Sequence, residues 1–327
     1  MATAPRFDLL GIGNAIVDVV APADDGFLSR HDMHKGSMAL IDRDRAEFLS
    51  TAMPKGRESS GGSAANSCAV AAAMGARAAF LGKVADDRLG SAFRDDIAAA
   101  GVHFPTPPLQ AGAPTARCLI LVTPEGQRTM NTYLGACVSF GVDDLDPALI
   151  ADSAVTYLEG YLFDPPAAQA AFHRAAAIAR RAGRQVALSL SDPFCVDRHR
   201  TAFRELLRGI DILFANEAEV CSLYEANEFE AAAEAAAAAV KLAVLTRSEA
   251  GSVICHGHQR IRVAAEPARV VDTTGAGDAY AAGFLAGLTA GRDLSTCGRL
   301  GSIAAAEVIG HYGARPQSDL RGLLQTA

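Results

Sequence analysis

Residues 272–283 of the chain read DTTGAGDAYAAG, a pattern that predicts both a turn and a binding site. The apolar residues 268–271 before this stretch predict a buried strand, and the small residues 279–287 at its end predict a helix. Because Gly275 and Gly277 have no side chains, the turn can adopt unusual dihedral angles and bring backbone N–H groups close to a ligand. The N-terminus of the helix adds the positive end of its dipole. We therefore expect a strand, a glycine turn and a helix that together bind phosphate oxygens.

Two acidic residues flank this glycine turn. Asp278 lies at the mouth of the predicted anion site, where a carboxylate would repel a phosphate, so we interpret it as a base that removes a proton from an attacking hydroxyl group. Asp272, at the end of the predicted strand, is placed to face a metal ion or its bound water. The alternative is an ordinary turn in which Asp278 caps the helix and the glycines serve only the bend. Two threonines and a second acid at this spacing favour the catalytic interpretation.

The bulk composition argues against several classes of function. The chain has 327 residues and a net charge of −7, which disfavours a nucleic-acid partner because phosphate backbones require a basic surface. Its seven cysteines are scattered, odd in number and without a CxxC pair, which indicates a reducing compartment. No stretch has the pattern of a membrane span. These features predict a cytoplasmic protein without a membrane partner.

Apolar runs alternate regularly with alanine-rich segments after residue 150. The short apolar runs predict buried strands, and the segments between them predict helices because alanine has the highest helix propensity. This alternation favours an α/β fold, in which a parallel sheet has helices on both faces. The predicted strands are Val155–Leu158, Val186–Leu190, Ile210–Phe214 and Leu242–Thr246.

Polar residues in the first third of the chain are candidates for ligand binding. Asn14 and Asp18 lie just beyond the first predicted strand, where the ligands of open α/β sheets bind. Gly61 and Gly62 lead into an alanine-rich helix whose first turn carries Asn66, a side chain that can donate to and accept from vicinal hydroxyl groups. Surface turn residues are the alternative for Asn14 and Asp18.

A predicted hairpin is inserted between the strand and helix units. Residues 116–122 and 127–134 predict two strands joined by a turn, and a hairpin in this position is typical of a lid over a site. Arg128 lies on the hairpin, where its guanidinium could reach a transferred phosphate. A solvated charge on the hairpin is the alternative.

Aromatic and polar residues after the later strands complete the candidate site. Phe194 follows a predicted strand end, where its ring could stack on a flat base; Tyr161 and Phe163 are weaker candidates, and core packing is the alternative for all three. Asn216 and Glu219 form an N-x-x-E pattern just past a strand, which suits a hydrated magnesium ion. For Asn216, helix capping is the alternative.

Several of these motifs resemble one family of enzymes. DTTGAGDAYAAGFLAG is similar to the C-terminal signature of the ribokinase-like (PfkB) carbohydrate and nucleoside kinases, and GGSAANS is similar to their N-terminal signature. Matches run from Gly11 to Pro316, and the segments GNAIVD, SDPF and DILFANE resemble the adenosine kinases of the family more than its sugar kinases. The resemblance implies a three-layer sandwich with a mostly parallel central sheet, one domain over residues 1–327, and a small β lid from parts of about residues 16–45 and 112–135.

The resemblance also implies a role for each matching residue. The expected catalytic residues are Asp278, Gly275, Ala276, Gly277 and Arg128. The expected substrate-binding residues are Asn14, Asp18, Gly62, Asn66, Phe194 and Asp278. The expected nucleotide-binding residues are Asn216, Thr246, Gly251, Thr274, Gly275 and Gly277. The expected metal ligands are Glu219 and Asp272.

The implied reaction transfers the γ-phosphate of ATP to the 5′-hydroxyl of adenosine, with Mg²⁺ as cofactor and, as in many relatives, a monovalent cation such as K⁺. Alternatives are an inosine or guanosine kinase and a PfkB sugar kinase that acts on ribose or fructose. A nucleoside-binding protein without catalysis is disfavoured by the intact GAGD motif and by the pair of Asn216 and Glu219. The expected partners are small molecules, and the sequence leaves monomer and homodimer open.

Overall fold

The chain forms two β-sheets, and the larger one is covered by helices on both faces. The computed structural model describes residues 4–326. The strands are β1 (Phe7–Ile12), β2 (Ile16–Pro22), β3 (Met38–Leu40), β4 (Arg57–Gly61), β5 (Ala78–Leu81), β6 (Val102–His103), β7 (Ala116–Val122), β8 (Arg128–Tyr133), β9 (Ser153–Glu159), β10 (Gln185–Ser189), β11 (Ile212–Asn216), β12 (Leu242–Thr246), β13 (Ser252–His256) and β14 (Gln259–Val263). The α-helices are α1 (Asp25–Arg30), α2 (Arg43–Ala52), α3 (Ser63–Ala73), α4 (Arg88–Ala99), α5 (Pro147–Ala151), α6 (Pro166–Arg181), α7 (Pro193–Leu206), α8 (Glu217–Tyr224), α9 (Phe229–Ala239), α10 (Ala276–Thr289), α11 (Leu294–Val308) and α12 (Leu323–Thr326).

The larger sheet has the strand order β14-β13-β12-β11-β10-β9-β1-β5-β6. Every pairing from β12 to β6 is parallel, and β13 and β14 form an antiparallel hairpin at one edge. Consecutive strand residues are apolar because both faces of the sheet are covered, so that Leu9 packs on one side and Leu10 on the other. The four strands predicted after residue 150 all belong to this parallel part, as expected.

Two layers of helices cover the larger sheet. Helices α5 to α9 pack on one face, for example through Phe172 and Phe203, and helices α3, α4, α10 and α11 pack on the other through residues such as Phe93 and Phe284. These four rings are fully buried, and burial of such a side chain stabilises the fold by about 1.5–3 kcal/mol. The predicted three-layer α/β fold is therefore confirmed.

The smaller sheet has the order β3-β8-β7-β2-β4 and its own apolar core with α1 and α2. It contains the predicted hairpin, in which Val122 of β7 pairs with Arg128 of β8. Strand β4 lies outside the ranges predicted for the lid, because its sequence RESSG carries no β-propensity signal. Its strand character comes from antiparallel pairing with β2, which joins Ile16 to Gly61.

The strand predicted over residues 268–271 is wrong. This segment has no strand structure, and Val270 is 61% exposed. The backbone N–H of Val271 donates to the Ile309 carbonyl at 2.8 Å, so the end of α11 pairs with this backbone in place of a strand. Since the β13–β14 hairpin already forms the edge of the sheet, the apolar run has no neighbouring strand to join, and a β preference depends on such a partner.

Helix α10, which carries Asp278 in its first turn, approaches α11 closely at Gly283. A Cβ atom at Gly283 would lie 2.5 Å from the Leu300 carbonyl oxygen and 2.8 Å from the Gly301 Cα. Only glycine therefore allows this distance between the two helices. The contact fixes the position of α10 and, with it, the position of the predicted base.

We expect Gly283→Ala to lower the free energy of unfolding by about 1–3 kcal/mol, because the added methyl group meets the α11 backbone and this overpacking outweighs the gain in helix propensity. Urea unfolding followed by circular dichroism measures the effect. Gly209→Ala is the control, since its Cβ would make an ordinary contact with Ala176 at 3.6 Å. Equal unfolding midpoints for Gly283→Ala and the wild-type protein would contradict the packing described here.

Candidate active site

The predicted base, Asp278, faces the first turn of α3. Its Oδ1 accepts a hydrogen bond from Ser63 Oγ at 2.5 Å, and its Oδ2 accepts one from Asn66 Nδ2 at 3.2 Å. Burial raises the pKa of Asp278, and these two hydrogen bonds and the charge of Arg315 act in the opposite direction. A carboxylate that is held by two donors and has an increased proton affinity suits a general base.

The glycine turn before Asp278 has the predicted backbone strain. Gly275 is the N-cap of α10 with a φ of +78°, and a Cβ there would lie 2.5 Å from the Ala314 Cβ. Gly277 borders open space, since a Cβ there would meet no atom of the described residues within 4 Å. The N–H of Ala276 donates to the Thr273 carbonyl at 3.2 Å. The turn therefore presents Gly277 to a ligand, whereas the expected anion donor Ala276 is engaged within the loop.

Asp272 is paired with Arg128, which comes from the hairpin of the smaller sheet. The Asp272 carboxylate also accepts hydrogen bonds from the backbone N–H groups of Thr274 and Gly313, each at 3.0 Å. Burial alone would raise the pKa of Asp272, but these N–H groups and the guanidinium outweigh it and lower the pKa. The Nε atom of Arg128 is buried and has no hydrogen-bond partner among the residues that the structure describes.

The surroundings of Asp272 do not fit a cation. The carboxylate faces only donors, and one of these donors, Arg128, is itself positively charged. A metal ion at this position would be repelled by the guanidinium. The metal role expected for Asp272 is therefore not supported by its geometry, which favours an ion pair.

Asn14 is held at the end of β1 by Glu159, a residue that was not expected from the sequence. Glu159 Oε1 accepts hydrogen bonds from the Asn14 backbone N–H at 3.1 Å and from Asn14 Nδ2 at 2.8 Å, and Oε2 accepts one from the Ala64 N–H at 2.7 Å. Burial raises the pKa of Glu159 to about 7 against the effect of these bonds. Because Glu159 accepts only one hydrogen of the Asn14 amide, the other hydrogen and the amide oxygen are the groups that could meet a ligand hydroxyl.

Asp18 and Gly62 lie beside Asn14. Gly62 has a φ of +101°, and a Cβ there would lie 2.0 Å from the Asn14 carbonyl oxygen, so the position requires glycine. A Cβ at Gly61 would lie 2.5 Å from Asp18 Oδ2, which places the Asp18 carboxylate against this glycine pair. Burial raises the pKa of Asp18 to about 6, and two nearby guanidinium groups oppose the shift.

Arg315, a second residue without an expected role, connects these parts of the site. Its Nε donates to Asn66 Oδ1 at 3.0 Å, and its Nη2 donates to the backbone oxygen and Oγ of Ser60 at 2.9 and 3.0 Å. With the contacts of Asn14 and Asp278 described above, the structure brings five of the expected substrate-binding residues to one place: Asn14, Asp18, Gly62, Asn66 and Asp278.

The residues expected to bind the nucleotide lie at the next strand ends. Asn216 of β11 pairs in register with Thr246 of β12, and Gly251, with a φ of +80°, lies in the turn that follows β12. Asn216 is the N-cap of α8, which is the alternative considered for it in the sequence. Its Oδ1 accepts a hydrogen bond from the Glu219 N–H at 2.9 Å. The Glu219 carboxylate in turn accepts from the Asn216 backbone N–H at 2.9 Å and from its Nδ2 at 2.6 Å. Burial raises the pKa of Glu219 to about 7.

The three aromatic candidates differ in their surroundings. Phe163 is fully buried and stacks on Phe203 with a centroid distance of 4.5 Å, so it belongs to the core. Phe194, in the first turn of α7, is 74% exposed, and Tyr161 is 38% exposed. The Tyr161 N–H donates to Ser191 Oγ at 3.2 Å, which joins the loops that follow β9 and β10. Phe194 and Tyr161 are therefore the rings that can meet a ligand.

The α/β sandwich, with the Asp278 carboxylate beside a glycine turn at a helix N-terminus, is typical of enzymes of the phosphotransferase class that act on a hydroxyl group. Residues 36–320 match the pfkB family carbohydrate kinases, and the chain belongs to this family. The family resemblance stated from the motifs is thereby confirmed.

Solved structures of similar proteins include two at high identity. The chain is 52% identical to the adenosine kinase from Sinorhizobium meliloti, with a TM-score of 0.90 and coverage of 98% of this chain and 99% of that one. It is 49% identical to a probable sugar kinase protein from Rhizobium etli CFN 42, with a TM-score of 0.91 and coverage of 98% of both chains. A curated relative, adenosine kinase 2 of Arabidopsis thaliana, is 27% identical over 96% of this chain and 97% of its own length.

The buried carboxyl groups predict a pH dependence of stability. Since the pKa of Glu159 is raised to about 7 in the folded state, the folded protein keeps a proton there that the unfolded chain releases near its ordinary pKa of about 4.5. The free energy of unfolding should therefore fall as the pH rises from about 5 to 7, and Glu159→Gln should reduce this slope by up to about 1.4 kcal/mol per pH unit. Urea unfolding at pH 5, 6 and 7 gives the slope.

Glu249→Gln is the control for this measurement, because Glu249 is exposed and should leave the slope unchanged. The same pH dependence in Glu159→Gln and the wild-type protein would show that Glu159 does not keep a proton in the folded state.

Proposed function

We propose that the chain is an adenosine kinase, which transfers the γ-phosphate of ATP to the 5′-hydroxyl of adenosine and releases AMP and ADP. The observation that carries this proposal is the carboxylate of Asp278, which is held by Ser63 and Asn66 beside the glycine turn. The chain's similarity to adenosine kinases over nearly its whole length supports the choice of acceptor.

In the proposed reaction, Asp278 accepts the proton of the 5′-hydroxyl as its oxygen attacks the γ-phosphate. The N–H group of Gly277 and the positive end of α10 stabilise the negative charge that develops on the phosphoryl group. Removing one such donor commonly lowers the rate by about 10²–10³-fold, and a positioned base contributes about 10²–10⁴-fold. Arg128 has an unpaired Nε and lies on the hairpin, so we assign it to the transferred phosphate when the nucleotide is bound.

Mg²⁺ would neutralise the phosphate charges of ATP. In residues 4–326 no group of three or more histidine, cysteine, aspartate or glutamate side chains is arranged to hold a metal ion. This fits Mg²⁺, which keeps several water ligands and binds through one or two carboxylates together with substrate phosphates. Glu219 is the carboxylate that we assign to this ion, and Thr246, Thr274 and Gly251 are assigned to the nucleotide phosphates. K⁺ stays a prediction from the resemblance, and no step is assigned to it.

The polar residues beyond β1 are proposed to bind the ribose. The amide oxygen of Asn14 and the carboxylate of Asp18 are acceptors for sugar hydroxyl groups, and Gly62 lets the ligand approach the backbone. The exposed rings of Phe194 and Tyr161 lie at the neighbouring strand ends and are assigned to the adenine.

A sugar kinase is the second candidate, because the chain is 49% identical to a probable sugar kinase protein. The polar residues around Asn14 and Asp18 would bind ribose as well as a nucleoside. Among the side chains of the site, the exposed rings of Phe194 and Tyr161 favour an acceptor that carries a base.

No helix in residues 4–326 has the length and apolar character needed to cross a bilayer. A cytoplasmic location, small-molecule partners only, and a monomer or homodimer stay predictions from the sequence.

We expect Asp278→Asn to lower kcat by at least about 10²-fold while the KM for adenosine changes little, because the amide keeps the shape of the side chain but cannot accept the proton. Steady-state assays of ADP release with Mg-ATP and adenosine measure both constants. Asp143→Asn, at an exposed position, is the control and should keep wild-type rates. Near-normal turnover of Asp278→Asn would exclude Asp278 as the base.

We expect adenosine to be turned over well above inosine, guanosine, cytidine, ribose and fructose in the same assay. Phe194→Ala should raise the KM for adenosine by about 5-fold or more, because stacking of a base on an aromatic ring contributes about 1–3 kcal/mol, and it should leave the KM for ATP unchanged. Phe48→Ala is the control, since Phe48 is a similarly exposed ring on α2.

Preferential turnover of ribose or fructose would keep the mechanism and replace the acceptor. Absence of turnover with all six compounds would favour a nucleoside-binding protein without catalysis.

A further inference from the structure

Arg315 lies outside the motifs on which the proposed function rests, yet it contacts the residue that holds the base. It follows α11 in the loop that also carries Gly313 and Ala314. Gly313 donates to Asp272, and Ala314 packs against Gly275, so the loop as a whole lies against the phosphate turn. Arg315 extends from this loop toward α3 and the smaller sheet.

The contact with Arg315 determines how the Asn66 amide is oriented. Arg315 Nε is a donor, so it requires the amide oxygen, and Oδ1 lies 3.0 Å away. The amide nitrogen must then face the other neighbour, Asp278, whose Oδ2 accepts a hydrogen bond at 3.2 Å. The reversed amide would place its NH₂ group against the guanidinium and its oxygen against the carboxylate, which is unfavourable on both sides. Arg315 therefore selects the orientation in which Asn66 donates to Asp278.

The guanidinium is itself fixed from the side of the smaller sheet. Its Nη2 donates to the Ser60 carbonyl oxygen and Oγ at 2.9 and 3.0 Å. Ser60 in turn donates from its backbone N–H and its Oγ to Asp96 Oδ2, at 2.7 and 2.6 Å. This chain of bonds runs from α4 through β4 to Arg315, and from there through Asn66 to Asp278.

The positive charge of Arg315 also acts on the acids of the site. Burial lowers the pKa of Arg315, while the charges of Asp96, Asp18 and Asp278 raise it, so the group sits among acids. Removing its charge would therefore increase the proton affinity of Asp278. The other titratable groups whose charges interact with Asp278 are Asp18, Tyr157, Glu159, Tyr161 and Glu219.

We propose that Arg315 is a positioning residue for phosphoryl transfer, which orients the Asn66 amide toward Asp278 and places a positive charge beside this base. The proposal rests on the proposed function, because it takes Asp278 as the base. It adds a residue that acts through Asn66 without contact to the reacting atoms.

The test compares Arg315→Met and Arg315→Lys with the wild-type protein in the assay of ADP release. Arg315→Met should lower kcat by about 10–100-fold, with an unchanged KM for ATP, because the base is less well oriented. It should also move the acidic limb of the pH profile of kcat/KM upward by about 0.5–1 pH unit, because the base loses a neighbouring positive charge. A purely structural role would not move this limb.

The Arg315→Lys variant separates the effect of the positive charge from the effect of the guanidinium hydrogen bonds. An ammonium keeps the charge, so the acidic limb should return to the wild-type position, but it cannot donate to Asn66 and Ser60 from a rigid fork, so kcat should recover only in part. In a double-mutant cycle, Arg315→Met combined with Asn66→Ala should be no slower than the slower single variant, since the two residues act in one path. Arg88→Met is the control. Arg88 also pairs with a residue of β4, Glu58, but its side chain is exposed.

The proposal is overturned if Arg315→Met keeps the wild-type kcat, if it leaves the acidic limb unmoved, or if the effects of the two substitutions multiply in the double variant. If Arg315→Met does not fold, Arg315→Lys and Ser60→Ala carry the test, and unchanged kcat in both would also overturn it. Different results would contradict the proposed function itself. These are wild-type activity in Asp278→Asn, or no turnover of any of the six acceptors by the wild-type protein.

Discussion

The carboxylate of Asp278 lies between the N-termini of α10 and α3, and the arrangement of the site depends on this meeting of two helices. The two dipoles direct their positive ends at the same point, where they attract an acid side chain and a phosphate. The helices can approach because the sequences of α3 and α10 consist mainly of alanine, glycine and serine. Ser67 adds a further link, since its Oγ donates to the Asp278 carbonyl at 3.0 Å. The small residues that mark the motifs in the sequence are therefore a packing requirement of the site.

The surroundings of Asp278 contain more acidic than basic side chains. Asp18, Glu159 and Glu219 all have raised pKa values because they are buried, and each stands close enough to Asp278 for their charges to interact. Such an environment suits a neutral ligand with many hydroxyl groups, which needs acceptors. It is unfavourable for polyphosphate, so the phosphates must be bound where helix N-termini and the guanidinium of Arg128 compensate the acids.

The parts of the fold that were predicted correctly are those whose sequence patterns lie within a few consecutive residues. Apolar runs indicated β9 to β12, and paired glycines indicated the turns before α3 and α10, because each pattern reflects local backbone requirements. Glu159 and Arg315 were missed because their partners are distant: Glu159 binds Asn14 across 145 residues, and Arg315 binds Asn66 across 249. The strand predicted near Val270 is wrong because a strand also needs a neighbouring strand. An apolar run shows that a strand is possible, but it does not show that such a partner is present.

The pair of Arg128 and Asp272 has a consequence for how the smaller sheet relates to the nucleotide. Arg128 belongs to β8, so its bond to Asp272 holds the hairpin against the phosphate turn. A phosphate carries more negative charge than the Asp272 carboxylate, so it competes with Asp272 for the guanidinium. If Arg128 binds the transferred phosphate as proposed, Asp272 keeps the N–H groups of Thr274 and Gly313 and is not left as an unpaired buried charge. The exchange would therefore cost less than breaking an isolated buried ion pair, and the two backbone donors would still hold Asp272 in the turn.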